Sequence, residues 1–292
     1  MPIIAFTNLK GGVAKTTTAV AVAECLAVAG HKTLVIDADH QCMAGELLLG
    51  GRLLLQCDNQ KRTLHDLLAA LLKEGFDRDH ISKYVQDEAS SINGGLENLS
   101  VLPCSIRIDE FETNLAKGGY NNSIPLSAML DKRKGMLRKW LSQNYDFVLI
   151  DCPPSIPIQV RFLLNIADSF VVPCVPDRLS VRGSCYLMKR LEKTGRKIQP
   201  LGTIWSLFRR QNSLHKRTIE GKVQGFETLP KPFTTIVPNA TAIAESTEPD
   251  FFPTSFSGKY TKGYADVFRS LTAEIIERSV FSPAELKLQV SR

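Results

Sequence analysis

Short runs of β-branched and other apolar residues alternate along the chain with longer segments in which apolar residues recur at helical spacing. Runs of the first kind are typical of strands buried on both faces of a parallel sheet, and segments of the second kind are typical of the helices that cover it. The pattern therefore predicts an α/β fold, a mostly parallel β-sheet covered by helices on both faces. The predicted strands lie near residues 3–7, 33–37, 99–103, 146–151, 169–173, 201–207 and 234–237. The predicted helices lie near residues 16–29, 125–142, 156–167, 179–194, 213–224 and 263–279.

One stretch, at about residues 51–98, does not follow this alternation. Apolar residues recur there at helical spacing in Arg62–Lys73 and Asp79–Ala89, so we expect a helical insertion at the edge of the sheet. The chain has 292 residues, of which 43% are hydrophobic. This length suits one large α/β domain or two small ones, and we predict a single domain over residues 1–292 that contains the insertion.

Composition also bounds the compartment. No apolar run reaches the roughly 18–20 residues that a membrane-spanning helix needs, and Met1 and Pro2 lead directly into a predicted strand rather than a signal peptide. The seven cysteines contain no Cys-x-x-Cys pair, and Cys25, Cys152 and Cys174 fall inside apolar patterns. We therefore expect a cytosolic protein whose cysteines are reduced and mostly buried, without a disulfide framework or a cysteine metal site.

The strongest chemical signal follows the first predicted strand, where Lys10–Thr17 reads Lys-Gly-Gly-Val-Ala-Lys-Thr-Thr. Gly11 and Gly12 allow successive backbone N–H groups to surround phosphate oxygens, and the positive end of the next helix points at the same anion. Lys15 is expected to bridge the β- and γ-phosphates, and the Thr16 hydroxyl to bind Mg²⁺. The stretch predicts a nucleoside triphosphate site rather than a Gly-Gly turn that binds nothing.

Two positions depart from the usual phosphate-loop pattern. Leu9 stands where a first glycine is usual, and Ala14 replaces the glycine before the lysine. If Ala14 has to adopt a positive φ, the strain costs on the order of 1 kcal/mol.

Lys10, just before the glycines, makes the loop resemble that of the ParA and MinD ATPases, a family with the deviant Walker A pattern Lys-Gly-Gly-x-Gly-Lys-Thr-Thr. Lys32–Gln41 is similar to the family's second strand, which ends in Asp-x-Asp-Pro-Gln, although His40 replaces the proline. Tyr145–Ser155 is similar to its Walker B strand. The likeness continues through Ser169–Asp177, which resembles the next strand and the loop beside the base, and through two later stretches beside the nucleotide, Ile236–Asn239 and Ala244–Ser246. It covers nearly the whole chain apart from residues 51–98.

This resemblance implies a P-loop NTPase fold and a slow ATPase whose cofactors are ATP and Mg²⁺. Two subunits would close over two ATP molecules, with Lys10 of each reaching the phosphates of the other. Lys10 and Lys15 would neutralise charge during phosphoryl transfer, Asp39 would orient the attacking water, and Asp151 would hold the Mg²⁺ shell. The implied catalytic residues are Lys10, Lys15 and Asp39. The implied metal-binding residues are Thr16, Asp39 and Asp151. The implied ATP-binding residues are Lys10, Gly11, Gly12, Val13, Ala14, Lys15, Thr16, Thr17, Pro176, Asp177, Phe208, Pro238 and Asn239.

Other roles remain open for the residues around Asp39. Asp37 is expected to support the site from behind, and an aspartate at the end of a strand is often only a helix cap. His40 could carry a proton, but a bystander or capping role suits it better.

Positive charge is concentrated in one segment. Residues 178–222 contain twelve basic and two acidic residues, a net charge of +10, so the rest of the chain carries −4 of the total +6. Such a segment attracts polyphosphates, most simply the backbone of DNA, although the same residues could be solvated helix faces. ParA-like proteins bind nonspecific double-stranded DNA, so the resemblance favours DNA. The candidate contacts are Arg182, Lys189, Arg209, Arg210, Lys216 and Arg217, with Lys259, Lys262 and Arg269 as a second set.

We therefore expect a cytoplasmic, nucleoid-associated, ParA-like ATPase that forms a homodimer with ATP and positions or segregates a plasmid, chromosome or protein organelle. A ParB-like partner would stimulate hydrolysis, and no membrane contact is expected. A MinD-like membrane-positioning ATPase would need a C-terminal amphipathic helix, but Phe281–Val290 is short and interrupted by Pro283. A metabolic P-loop ligase is not expected to place a lysine at Lys10. An iron–sulfur reductase would need cluster cysteines at the dimer seam, a context that Cys104 and Cys152 lack.

Overall fold

The computed structural model describes residues 1–73, 75–116, 126–192, 198–248 and 251–280. Its strands are β1 (Ile3–Phe6), β2 (Thr33–Asp37), β3 (Leu99–Leu102), β4 (Phe147–Asp151), β5 (Ser169–Cys174) and β6 (Gln199–Trp205). In the described residues these six strands form one sheet in the order β3-β2-β4-β1-β5-β6, and every neighbouring pair is parallel. The predicted α/β fold with a parallel sheet is confirmed.

Helices connect the strands and cover both faces of the sheet. They are α1 (Lys15–Val28), α2 (Met43–Asn59), α3 (Leu64–Leu71), α4 (Ile108–Ala116), α5 (Leu126–Asn144), α6 (Ile158–Leu164), α7 (Arg178–Glu192), α8 (Ser213–Ile219), α9 (Thr241–Glu245), α10 (Phe256–Lys259) and α11 (Tyr264–Val280). Short 3₁₀ helices cover Arg78–Tyr84, Ile92–Gly94 and Phe226–Thr228. Among the described helices, none is both long enough and apolar enough to cross a bilayer.

The core consists of two apolar layers separated by the sheet. Alternate residues of β1 show the division, because Ile3 and Ala5 pack into one layer and Ile4 and Phe6 into the other. All four side chains are fully buried, as expected for a central strand of a parallel sheet. This rigid centre fixes the carboxyl ends of β1, β2 and β4, from which the candidate site is built.

The strand predicted at 234–237 is wrong. Two single bridges, Thr203 to Pro232 and Phe208 to Pro238, flank the segment. Within it, the Val237 N–H donates to the Trp205 carbonyl at 2.8 Å. Two of its N–H groups, those of Thr234 and Thr235, donate instead to the Glu274 carboxylate at 2.8 Å each. Because a side chain takes up these two N–H groups, a continuous strand does not form here.

The stretch after β2 also differs from expectation. Helix α2 begins at Met43, before the expected insertion, and is broken at Gly50 (φ 73°, ψ 156°). The helix predicted within Asp79–Ala89 is wrong, because the 3₁₀ helix ends at Tyr84 and the backbone then forms an antiparallel bridge between Gln86 and Val101 of edge strand β3. The division of the chain into one domain with an insertion stays a prediction.

Candidate functional site

The site lies where the central strands end. Parallel pairing places Phe6 beside Asp151 and Asp37 beside Asp151, so β1, β2 and β4 all stop at one edge. Ligands of open α/β sheets bind at the carboxyl edge of the strands. The sheet therefore brings together Asp37, Asp151 and the loop after β1, which are far apart in sequence.

That loop has the conformation of a phosphate cradle. Gly12 has φ 67°, and Ala14 has φ 59° and ψ 35°. Ala14 therefore adopts the left-handed conformation, which is strained for a residue with a Cβ. A Cβ built on Gly11 or Gly12 would meet no atom within 4 Å, so the loop's inner side is open. Helix α1 begins at Lys15, and its positive end faces this opening.

Two buried side chains that sequence reasoning missed hold the loop in place. The Asn8 amide donates to the Pro173 carbonyl (2.7 Å) and to Ser184 Oγ (3.1 Å), and its oxygen accepts from the Lys10 N–H (3.1 Å). The Ser206 hydroxyl donates to the Val13 carbonyl at 2.8 Å. Because β5, α7 and the end of β6 supply these partners, only the folded sheet could reveal them.

Lys15, Thr16 and Asp151 form the centre of the site. The Lys15 side chain is almost fully buried, and its ammonium donates to the Lys10 carbonyl at 3.1 Å. Burial lowers the pKa of Lys15, while the nearby Asp151 and Asp39 carboxylates oppose that shift. The Thr16 hydroxyl donates to Asp151 Oδ2 at 2.7 Å.

Asp151 is fully buried, and burial raises its pKa to about 7 despite the hydrogen bond from Thr16 and the charge of Lys15. Its Oδ1 is buried and has no hydrogen-bond partner among the described residues. A carboxylate with a free oxygen, paired with a threonine hydroxyl, is the donor set that Mg²⁺ prefers. These residues therefore fit a magnesium ion at the loop.

Two further aspartates lie at the end of β2 and just after it, and the structure gives them different surroundings. Asp37 is fully buried and accepts N–H bonds from Asp39 (3.1 Å) and Gly45 (2.8 Å), so it holds the loop that carries Asp39. Burial and the neighbouring Asp151 raise the pKa of Asp37 well above its usual range. Asp39 is 9% exposed and accepts from the Gln41 N–H at 3.0 Å, while His40 Nδ1 lies 3.4 Å from Asp39 Oδ1.

Lys10 points at a carboxylate of its own chain. Its ammonium lies 3.2 Å from Asp177 Oδ2, and the Lys10 side chain is 33% exposed. Asp177, the residue just before α7, also accepts from the N–H and the hydroxyl of Ser180 and so caps the start of that helix. Burial alone would raise the pKa of Asp177, but these hydrogen bonds and the Lys10 charge lower it overall. The structure thus gives Asp177 a contact with Lys10 that sequence reasoning did not anticipate.

The remaining predicted ATP contacts come together at the ends of β5 and β6. Pro176 precedes Asp177, and Phe208 pairs with Pro238 through a parallel bridge. The Asn239 N–H donates to the Phe208 carbonyl at 2.9 Å. With its amide oriented by its surroundings, the Asn239 oxygen accepts from Arg209 Nε (2.8 Å) and Nη2 (3.0 Å). Arg209 is therefore hydrogen-bonded to the late loop, Ile236–Asn239.

The candidate DNA contacts lie on the exposed surfaces of α7, of α8 and of the segment just before α8 that carries Arg209 and Arg210, together the basic surface of α7 and α8. Arg182 stacks on Tyr186 and donates to its hydroxyl at 3.0 Å. Helices α7 and α8 meet at one small apolar cluster, which contains Val181, Cys185 and Ile219. The other candidates on these surfaces, all exposed, are Lys189, Arg209, Arg210, Lys216 and Arg217.

The prediction of a second set of DNA contacts, at Lys259, Lys262 and Arg269, is partly wrong. Lys259 is 3% exposed and its ammonium donates to the buried Glu24 carboxylate at 2.6 Å, so it cannot reach DNA. Three further basic residues of the charged segment, Lys193, Arg196 and Lys197, lie outside the described residues, as does Phe281–Val290, on which the membrane alternative depends.

Known proteins are similar to this chain in sequence and in architecture. A family model described as an AAA domain matches residues 1–201. The chromosome partitioning protein ParA of Caulobacter vibrioides is 27% identical over 248 residues, which cover 84% of this chain and 83% of that protein.

Two solved structures are also similar. A plasmid partition protein from Borrelia burgdorferi bound to AMPPNP has a TM-score of 0.66 at 19% identity and covers 95% of this chain and 99% of its own. Cobyrinic acid a,c-diamide synthase from Mycobacterium smegmatis, with bound ADP and magnesium, has a TM-score of 0.65 at 21% identity and covers 95% and 94%. At these identities the two structures support the fold alone.

Proposed function

Because the chain belongs to the ParA family of P-loop ATPases, within the AAA domain family whose model it matches, we propose that it hydrolyses ATP to ADP and phosphate in order to position or segregate a cargo. The observation that carries this proposal is the convergence of Lys10, Lys15, Thr16, Asp39 and Asp151 at one edge of the sheet.

The roles of the residues follow from their positions. The N–H groups of Gly11–Thr17 and the Lys15 ammonium would bind the phosphates, and Thr16 and Asp151 would hold Mg²⁺. When bound, Mg²⁺ offsets the negative charge on the β- and γ-phosphate oxygens. Asp39, almost fully buried beside this centre, would orient the attacking water, and Asp37 would keep the Asp39 loop in place.

Lys10 would act across a dimer. In the structure described here it is held by Asp177 of its own chain, and a second subunit would have to draw its ammonium from this ion pair to the phosphates. The pair is a third exposed, so the cost of breaking it is small, on the order of 1 kcal/mol or less. ATP bound in the partner would supply the competing negative charge, which makes dimerisation dependent on ATP.

The basic surface of α7 and α8 would then hold nonspecific double-stranded DNA. Its exposed arginines and lysines are suited to phosphate contacts, which carry no sequence information. Arg209 donates to Asn239 of the late loop, and this bond would link the basic surface to the nucleotide. We propose a cytoplasmic, nucleoid-associated protein whose slow hydrolysis is stimulated by a ParB-like partner.

Binding to nonspecific double-stranded DNA, measured with ATP, with ADP and without nucleotide across a series of salt concentrations, tests this function. Binding that requires ATP and weakens steeply with salt is expected. Absence of DNA binding in every nucleotide state would refute the proposal and favour a membrane- or metabolite-coupled relative. Vesicles of anionic lipid, assayed in parallel, distinguish those two.

A further inference from the structure

An open cleft of about 220 Å³ lies away from the phosphate loop, between the bend of α2, the loop at Ser90 and the segment after α9. The residues of α2 that line it, from Glu46 to Gly50, follow directly on the loop that carries Asp39. The other wall is formed by the segment that follows the late loop and α9, namely Ser246, Thr247 and Glu248. Both walls of the cleft therefore lead back to the nucleotide site.

The break in α2 creates the cleft. Gly50 leaves the helical conformation, so the carbonyl of Leu48 loses its place in the helical ladder and accepts instead from the Ser90 N–H at 2.8 Å. Ser90 itself adopts φ 129°, a strained value for a residue with a side chain. The cleft is thus a defined feature of the backbone rather than a gap between loose side chains.

The lining combines apolar side chains with two free acids. Leu47 and Leu49 are partly exposed, and Phe252 is 78% exposed at the rim. Glu46 and Glu248 form no ion pair or side-chain hydrogen bond with any residue that the structure describes. Unpaired carboxylates beside an exposed aromatic ring complement a ligand with one basic and one apolar group.

The floor of the cleft is attached to the helix of the phosphate loop. The Ser90 hydroxyl donates to Glu24 Oε1 of α1 at 2.6 Å. The same buried carboxylate accepts from Lys259 Nζ (2.6 Å) and Tyr260 Oη (2.8 Å). Three donors on one fully buried carboxylate make a rigid junction, and the α2 wall is fixed in turn by the Gly45 N–H, which donates to Asp37.

We propose that this cleft is the docking site for a segment of a partner protein that places an apolar side chain against Leu47, Leu49 and Phe252 and a lysine or arginine between Glu46 and Glu248. Because the walls continue into the Asp39 loop and α1, docking changes the rate of ATP hydrolysis. This regulatory part rests on the function proposed above, whereas the binding part does not.

A peptide set tests the binding part with the full-length protein and without nucleotide. The probes are fluorescent pentapeptides that carry one arginine or lysine and one leucine or phenylalanine, and the set includes every sequence separation between these two residues. A second set has glutamate in place of the basic residue. We expect basic peptides to bind and acidic ones to fail. A photoreactive version of the tightest peptide should crosslink to residues 46–50, to residues 246–248 or to Phe252, which mass spectrometry identifies.

Substitutions in the cleft give the second arm. Glu46→Gln and Glu248→Gln should each weaken peptide binding about threefold, and Phe252→Ala, which removes an exposed ring without disturbing the core, should do the same. Glu97→Gln, an exposed acid elsewhere, is the matched control and should change nothing.

Three results would overturn the docking site: no peptide binding at millimolar concentration, equal binding of the acidic set, or crosslinks elsewhere. If the cleft substitutions instead reduce self-association on a sizing column, a second copy occupies the cleft. Peptide binding without any effect on phosphate release would preserve the site and refute only its regulatory part.

Discussion

The nucleotide site and the basic surface of α7 and α8 are built in opposite ways. In the first, hydrogen bonds inside the fold fix the functional side chains: Asn8 holds the loop, Asp37 holds the Asp39 segment, and Thr16 bonds Asp151. In the second, the side chains of Lys189, Arg210 and their neighbours are exposed. The first region is specified by geometry and the second by charge alone.

This difference determines what each region can recognise. A buried, pre-arranged set of donors discriminates between ligands that differ by one phosphate, because a misplaced group leaves a polar atom unpaired. An exposed array of flexible cations attracts any polyphosphate and is weakened by salt. Single substitutions should therefore have large effects in the first region and graded effects in the second.

Removing the Lys15 ammonium should give the largest effect. Lys15→Ala leaves the phosphates without the buried cation at the centre of the cradle, so we expect ATP affinity to fall by at least about a hundredfold. A titration with fluorescent ATP measures this loss. Lys216→Ala, which removes a lysine from the basic surface, is the matched control and should leave ATP affinity unchanged. An equal effect of both substitutions would erase the contrast between the regions.

Asp39 should separate binding from hydrolysis. Asp39→Asn keeps the size of the side chain and its position beside Asp37 but removes its charge, so ATP should still bind while phosphate release falls about 10²–10⁴-fold. Asp79→Asn, at an exposed acid remote from the loop, should leave both unchanged. Normal phosphate release by Asp39→Asn would remove Asp39 from the catalytic role and leave it as a cap of the loop before α2.

The buried Asp151 should make the stability of the metal-free protein depend on pH. Its folded-state pKa is about 7, above the ordinary value of about 4, so between these values the native state binds more protons than the unfolded state. The free energy of unfolding should therefore fall as pH rises from about 4 to 7, by at most about 4 kcal/mol.

Urea unfolding in EDTA at several pH values measures this dependence. Asp151→Asn should flatten it and raise stability at pH 8, and the buried Asp37, whose pKa is also raised, leaves a residual slope of the same sign. A slope unchanged by Asp151→Asn would show that the carboxyl is not the source.

Much of the nucleotide site could be predicted from sequence because its residues are adjacent in short motifs. Lys10–Thr17 supplies the loop, and Asp37, Asp39 and Asp151 each follow an apolar strand whose end the parallel sheet aligns. For Ala14 the sequence raises a positive φ only as a condition, and the structure meets that condition with φ 59°.

Contacts between distant segments could not be predicted in the same way. No local pattern joins Asn8 to Ser184, Ser206 to Val13, or Lys10 to Asp177, since these pairs depend on how strands and helices pack. The missing strand at 234–237 has a similar origin, because a carboxylate from α11 competes for its N–H groups. The charge of Lys259 makes it a candidate DNA contact in the sequence, and only its burial against Glu24 excludes it.

Charge reversal on the basic surface should have a moderate effect on DNA affinity. Arg210→Glu with Lys216→Glu should weaken DNA binding at least about tenfold at low salt and reduce the slope of log affinity against log salt by roughly two. Arg52→Glu, at an exposed arginine of α2, is the control and should preserve the slope. ATP binding should be unaffected by all three. If the slope does not change, the DNA surface lies elsewhere on the chain.

The smallest predicted effect concerns the strained residue of the nucleotide site. Ala14 adopts φ 59°, where a Cβ is disfavoured, so Ala14→Gly should raise the free energy of unfolding by roughly 0.5–1 kcal/mol. Ala23→Gly, in the regular part of α1, should have the opposite sign and cost about 1 kcal/mol or more. Urea unfolding of both variants measures the difference. If Ala14→Gly destabilises the protein as Ala23→Gly does, the loop carries no strain at Ala14. The geometry of the phosphate loop would then be maintained without a free-energy cost from the positive φ of that residue.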